Sequence, residues 1–173
     1  VVSRAHGGDL YGEAHGWKSI PYQRDAVMAA DLLAPISEHG RDYLVSKFPG
    51  EAAKVQVHRL GFPDIGGLAD PGTQGSVSMI SVSSIDQNKR VDRIARVAIE
   101  LARSGTPVMW THLGDGPQRA LVEELLTDAP DLLEYELRGV VPHEQVVREL
   151  RHGRHSVLVN LSLSEGAPVS LME

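Results

Sequence analysis

The chain reads as an α/β protein built on parallel sheets, and three observations carry that reading. Short apolar runs suited to buried strands alternate with runs whose apolar residues recur at helical spacing. In the second half, each link between successive strands is long enough to hold a helix, as parallel strands require. One stretch dense in Gly and Pro, Gly61-Phe-Pro-Asp-Ile-Gly-Gly-Leu-Ala-Asp-Pro-Gly72, divides the alternation in two and places a domain boundary. Residues 1–70 then form the end of one α/β domain with its linker, and residues 71–173 a second.

Local signals justify the elements of the first half. Val1-Val2-Ser3 opens as a strand and runs into a Gly-rich loop, Ser3-Arg-Ala-His-Gly-Gly-Asp-Leu-Tyr11. Gln23 to Ala30 reads as a helix and Leu32-Leu-Ala-Pro35 as a short strand. Ser37 is a hydroxyl in the N-cap position of a helix reaching Lys47. Val55-Gln-Val-His-Arg59 alternates as a further strand.

The second half is more regular. Ser76 to Val82 predicts a strand, after which Val91, Ile94, Ala95, Ala98, Ile99 and Ala102 line one face of a helix. Asp92, Arg96 and Glu100, four apart on the outer face, are expected to add small ion-pair support. Then come a strand from Pro107 to His112, a helix from Pro117 to Leu126, a strand from Leu132 to Leu137 and a helix from His143 to Arg151. Ser156-Val-Leu-Val-Asn160 is the last strand, and Pro168 suits the first position of a final helix, where its missing N–H is no loss. Ligands of such folds bind at the carboxyl ends of the strands.

Composition excludes several function classes. A net charge of −6 argues against a general nucleic-acid binder, so any phosphate site must be local. The absence of cysteine removes disulfides and thiolate metal sites and is compatible with a cytosolic compartment. Asp-x-Asp, the usual carboxylate pair for a metal-bound nucleotide, does not occur, and His152 and His155 flank Gly153 with no third ligand near in sequence. The chain starts without Met inside a strand-like run and stops inside a helix-like one, the expectation for a fragment cut at both ends.

The segment Ser164-Glu-Gly-Ala-Pro-Val-Ser-Leu-Met-Glu173 carries the most chemistry. Glu165 lies in a Gly-containing turn after an apolar strand, and Glu173 falls about one and a half turns into the next helix. Carboxylates beside a helix N-terminus combine acceptors for sugar hydroxyls with amides and dipole for phosphate, the two halves of a sugar nucleotide. The plain alternative keeps Glu165 as a helix cap and Glu173 as a solvated face residue, and spacing alone does not decide.

Two glutamates separated by seven residues, with the Ser-Glu-Gly opening and Pro168, resemble the E-x7-E motif of the retaining glycosyltransferases of family 4. The resemblance runs over essentially the whole chain. It implies the GT-B architecture, two Rossmann-like domains, both truncated here. Val82-Ser-Ser-Ile-Asp-Gln-Asn-Lys-Arg-Val91 is similar to the family's loop that neutralises the donor diphosphate, with Lys89 on the family's lysine. Ser84 stands where an arginine is usual, which leaves Arg90 as a substitute. Leu113-Gly-Asp-Gly-Pro117 resembles the family's Gly-Asp-Gly-Pro, in which Gly114 lets backbone approach the nucleotide; in isolation it is a turn. Backbone at Val140 and Val141 would meet the nucleobase edge, and His6 and Asp9 would face the reacting sugar, although a His in a Gly-rich loop is also an ordinary surface residue.

The resemblance thus implies a retaining, metal-independent transferase moving a hexose from a nucleotide diphosphate sugar to a glycan or lipid-linked acceptor, with no cofactor beyond the donor. Glu165, Lys89 and His6 would serve catalysis, and Ser84, Arg90, Gly114, Val140, Val141, Gly166, Ala167, Pro168, Val169 and Glu173 would bind substrate. Peripheral contact with the inner membrane face, through regions outside this chain, is compatible with it, and the fragment alone is expected to be inactive. An epimerase or hydrolase of the same fold, or a non-catalytic nucleotide-sugar-binding domain, are the alternatives.

Overall fold

The computed structural model describes residues 1–12, 16, 19–61, 75–165 and 170. The chain divides into two compact units, one of residues 1–63 to which Glu165 is also assigned, the other of residues 64–164.

In the first unit, strand β1 (Val2–Ala5) pairs in parallel with β2 (Leu32–Pro35). Helices α1 (Gly7–Leu10), α2 (Gln23–Ala29) and α3 (Glu38–Lys47) accompany them. Ala5, Leu10, Val27, Leu33, Leu44 and Val55 form the buried core. The Ser37 hydroxyl accepts the Gly40 amide at 3.1 Å, the expected cap of α3. Two expectations are corrected. The Gly-rich loop after β1 contains the single helical turn α1. Residues 55–59 form one bridge, Leu33 to Val55, instead of a strand. Gln56 and His58 still donate to the carbonyls of Leu33 and Pro35, both at 2.9 Å, but Pro35 has no N–H to return the bond, so the ladder stays one-sided. A 3-10 turn over Pro49–Lys54, not anticipated from the sequence, precedes it.

The second unit holds a four-stranded parallel sheet in the order β5-β4-β3-β6. Its strands are β3 (Val77–Val82), β4 (Val108–Leu113), β5 (Leu133–Leu137) and β6 (Val157–Leu158). Helices α4 (Val91–Arg103) and α5 (Arg119–Leu126) connect β3 to β4 and β4 to β5, and α6 (His143–His152) leads back to β6. From β3 to β5 the chain steps one way across the sheet; from β5 to β6 it reverses. Crossovers keep one hand, so the reversal puts the third helix on the other face. Accordingly α4 and α5 pack on Met79, Val108, Trp110 and Leu133, while α6 brings Val146 against Ile80 and Leu113.

The buried residues of α4 are Val91, Ile94, Ala95, Ala98, Ile99 and Ala102, the six expected from spacing. Full burial of a side chain such as Ile94 contributes about 1.5–3 kcal/mol. On the outer face the pairs differ from expectation: Asp92 pairs with Arg93 and Glu100 with Arg103. Helix α5 begins at Arg119 instead of Pro117: Gln118, at φ −100° and ψ 13°, is outside helical geometry, and its amide donates to the Ile85 carbonyl at 3.0 Å. Strand β6 is two residues long, not five, with Val157 42% exposed; it pairs only with β3 among the described residues.

Candidate functional site

The loops that leave β3, β4, β5 and β6 at their carboxyl ends are bonded to one another. β3 and β6 are the neighbours at which the strand order reverses, and open α/β sheets leave a crevice at that point. The loops at that end are residues 83–90, 114–118, 138–142 and 159–164.

Two glycines make the close crossing of the first two loops possible. Gly114 has φ +139°, and a Cβ there would stand 1.8 Å from the Ser83 carbonyl oxygen. A Cβ on Gly116 would meet the Ile85 backbone at 2.5 Å. Ile85 donates to the Asp115 carbonyl and Gly114 to the Gly139 carbonyl, at 3.0 and 2.8 Å. Arg119 fastens the third loop, reaching the Leu137 carbonyl at 3.0 Å and the Asp115 carboxylate at 3.3 Å.

Asp86 organises the turn that carries Lys89. One carboxylate oxygen accepts the amides of Asn88 and Lys89 at 2.9 and 3.0 Å, and the other accepts the Ser84 hydroxyl at 2.5 Å. That hydroxyl, followed by the amides, holds the Asp86 carboxyl below its usual range despite partial burial. Ser84, where an arginine was expected on family grounds, is therefore a ligand of Asp86. Arg90 adopts φ 51° and donates from Nε to the Leu161 carbonyl at 2.6 Å, which ties its side chain to the loop after β6.

Asn88 joins the same two loops. Its Oδ1 accepts the Ser164 amide at 3.1 Å, its Nδ2 donates to the Ser164 carbonyl at 2.9 Å, and its own carbonyl accepts the Leu163 amide at 2.8 Å. Glu165, exposed, follows Ser164 directly. Gly166, Ala167, Pro168, Val169 and Glu173 lie outside the described residues.

At the third loop, Val140 is 82% exposed, whereas Val141 packs on the cluster of Ile80, Leu113 and Val146. A polar cavity of about 200 Å³ beside them is lined by Leu113, Arg138, Val141, Gln145, Arg148 and Glu149. Arg138 reaches Glu149 at 2.5 Å, and Glu149 reaches Nε2 of His155 at 2.9 Å. Burial pushes the Glu149 carboxyl up, but its bonds to His155 and Arg138 outweigh burial and hold it below its usual value. His155 Nδ1 lies 3.2 Å from the Ser78 hydroxyl, so both ring nitrogens are engaged. His6 follows β1 in the first unit at an exposed position, and the side chain of Asp9 lies outside the described residues.

Sequence reasoning missed Asp86, Asn88 and His112. The first carried a usable signal, an Asp whose side chain can cap amides two and three residues on, immediately before the basic pair. His112, buried on β4, carried none.

No protein-family model matches the sequence, and no curated protein sequence matches it. Solved structures do. A mutant of S. aureus TarM in complex with fondaparinux, alpha-GlcNAc-glycerol and UDP matches with a TM-score of 0.71 at 14% identity, over 98% of this chain and 33% of that one. The pneumococcal O-GlcNAc transferase GtfA in complex with UDP and GlcNAc gives 0.70 at 19% identity, over 99% and 34%. The lipopolysaccharide outer core galactosyltransferase WaaB, apo form, gives 0.63 at 16% identity, over 87% and 42%. The chain thus has the α/β fold of GT-B type, as expected, and spans between a third and under half of the structures it resembles.

Proposed function

We propose that this chain belongs to a retaining, metal-independent glycosyltransferase of family 4 type, and that it contributes most of the donor site. A hexose would move from a nucleotide diphosphate sugar to a hydroxyl of a glycan or lipid-linked acceptor. The observation that carries the reading is the meeting of two loops at the sheet's reversal point, where Asn88, the neighbour of Lys89, bonds to the backbone of Ser164, the residue before Glu165. The fold likeness to TarM and GtfA, both crystallised with UDP, supports it. Because those chains are far longer, activity is expected of the full-length protein, at or near the inner membrane face, and not of this stretch alone.

The difficult event is departure of the nucleotide diphosphate, so the largest contribution is stabilisation of charge growing on the leaving phosphate. Lys89 supplies a cation there, with Arg90 and Ser84 at its margin, and the family resemblance assigns the remaining phosphate contacts to residues 167–170, most of which lie outside the described residues. Glu165 hydrogen-bonds donor-sugar hydroxyls and Glu173 the ribose, fixing orientation. Gly114 keeps side chains out of the nucleotide's path, the Val140 and Val141 backbone meets the base edge, and His6 stands by the reacting sugar. The bond from the anomeric carbon to the diphosphate breaks as the acceptor oxygen bonds on the same face, and the acceptor's proton passes to the departing phosphate oxygen. No cofactor beyond the donor is required, and the sequence holds no Asp-x-Asp for a metal-bound nucleotide.

The test is a screen of UDP-, GDP-, ADP- and dTDP-hexoses for thermal stabilisation of the full-length protein, followed by turnover with Lys89→Ala. Losing one charge-assisted contact to the leaving group should cut turnover about 30- to 1,000-fold. Unchanged turnover withdraws the assignment. A second reading, a binding domain without transfer, is favoured by the commitment of Ser84 to Asp86 where an arginine is usual. Saturable binding with no product in the presence of acceptors would decide for it, and product without acceptor would indicate an epimerase or hydrolase.

A further inference from the structure

Beyond Leu158, strand β6 has lost its ladder. The last backbone bond to β3 is the Val159 amide on the Ile80 carbonyl at 2.8 Å. Residues 160–164 then run from the sheet toward Glu165 held by groups from other elements and by their own side chains. Arg90 takes the Leu161 carbonyl and Asn160 Oδ1 takes the Ser162 amide at 2.8 Å. The final two residues, Leu163 and Ser164, are both held by Asn88, through three hydrogen bonds.

The Asn88 side chain meets Ser164 as a second strand would, accepting its N–H and donating to its C=O. The arrangement fixes the orientation of the amide, because a flipped amide would set donor against donor and acceptor against acceptor. No other standard side chain of that length offers both groups. Aspartate keeps only the acceptor, leucine neither. Two residues upstream, Asp86 independently caps the amides of Asn88 and Lys89. One short loop thus holds two separate devices, a carboxylate that sets the turn bearing the cation and an amide that sets the exit of β6.

We propose that Asn88 is a positioning residue for sugar recognition: by closing on the Ser164 backbone it sets the turn that delivers Glu165, while Asp86 separately sets Lys89 for the phosphates. This rests on the donor-site reading given above. Phosphate recognition and sugar recognition are then separable by substitution within a three-residue span. Loss of the Asn88 amide frees the β6 exit and spares the cap on Lys89, so the sugar loses its anchor and the diphosphate does not. Loss of the Asp86 carboxylate does the reverse.

The experiment uses full-length protein and isothermal titration with UDP, GDP, ADP and dTDP and the corresponding hexose conjugates. The readout is the ratio of the Kd for the bare nucleotide to that for its sugar conjugate. Asn88→Ala should lower that ratio about tenfold, with the bare-nucleotide Kd within about twofold of wild type and kcat reduced more than KM is raised. Asn88→Asp should fall between wild type and Asn88→Ala. Asp86→Ala should weaken nucleotide and conjugate alike, leaving the ratio unchanged. Equal weakening of both ligands by Asn88→Ala, or no change in either, overturns the proposal, as does an Asn88→Asp protein that matches wild type. Should Asn88→Ala fail to fold, Asn88→Asp alone carries the same comparison. If the wild-type protein binds no member of the panel, the donor site itself is lost and this inference with it, an outcome distinct from intact binding with an unmoved ratio.

Discussion

Nδ1 of His112 lies 2.8 Å from the hydroxyl of Ser81, its register partner on β3. The same oxygen accepts the Trp110 indole N–H at 2.9 Å, so one hydroxyl joins both buried rings. Nε2 lies beneath the crossing of Ser83 and Gly114, 3.4 Å from where a Gly114 Cβ would stand, and the Ser83 carbonyl is its backbone neighbour there. A wholly buried imidazole of this kind is held neutral.

That neutrality makes stability depend on pH. Burial lowers the His112 pKa from 6.5 to about 4, the Ser83 carbonyl opposing only in part. The unfolded chain therefore takes up a proton that the folded chain refuses. Stability contributed by the neutral ring is fully present above pH 6.5 and is lost as pH falls toward 4, by on the order of 3 kcal/mol at the lower end. His112→Asn, which keeps a group against Ser81, should flatten the denaturant midpoint between those two pH values. An equal acid slope in variant and wild type would remove the buried histidine from the account.

The loop crossing itself is expected to be intolerant of a methyl group. Gly114→Ala sets a Cβ 1.8 Å from the Ser83 carbonyl oxygen at φ +139°, and Gly116→Ala meets the Ile85 backbone at 2.5 Å. Backbone on both sides must move, so each should cost about 3 kcal/mol or more. Gly50→Ala, with nothing within 4 Å and no positive φ, should stay within about 0.5 kcal/mol of wild type by urea denaturation. Comparable midpoints for all three would mean that the crossing yields more easily than its geometry implies.

Ser84 gives a test of the Asp86 turn that needs no ligand. The hydroxyl is the largest influence holding the Asp86 carboxyl below 3.8, so Ser84→Ala should move that carboxyl back up, followed by NMR titration. A depressed carboxyl pKa gives stability that is present above pH 3.8 and is lost as pH falls through the folded value. Ser84→Ala should therefore shrink the acid-dependent part of stability below that pH while leaving the caps on Asn88 and Lys89 in place. An unshifted Asp86 titration would show that the amides alone set its pKa.

Much of this architecture was legible from residue order, for physical reasons that can be named. The α4 face was readable because six apolar residues at helical spacing have no other way to be buried together, and Ser37 because a hydroxyl before a helical run has few better partners than a free amide. Residues 55–59 and 156–160 were overread as strands. Alternation reports what a segment could pair with, but Pro35 removes one side of the first ladder and β6 has a single described neighbour. Lys89 and Glu165 were singled out through the family resemblance, because on their own a Lys-Arg pair and a loop glutamate read equally as solvated charges. Asn88 was not, since its side chain works on the main chain of another segment, which residue order does not bring into view, whereas the Asp86 cap on amides two and three residues on was there to be read.

Arg90 joins both themes, because it is a cation beside Lys89 whose backbone is left-handed. At φ 51° a non-glycine residue costs about 1 kcal/mol, and the Nε bond to the Leu161 carbonyl at 2.6 Å offsets that strain. The two terms separate by substitution. Arg90→Ala keeps the strain and loses the bond, and should destabilise by about 1.5–3 kcal/mol. Arg90→Gly loses the bond but relieves the strain, so it should be the more stable of the two by about 1 kcal/mol, reversing the usual order of alanine and glycine beside a helix. Chemical denaturation of both variants decides it: an alanine variant at least as stable as the glycine variant would show that the turn before α4 relaxes once the arginine is gone, and that Arg90 alone had imposed the left-handed conformation.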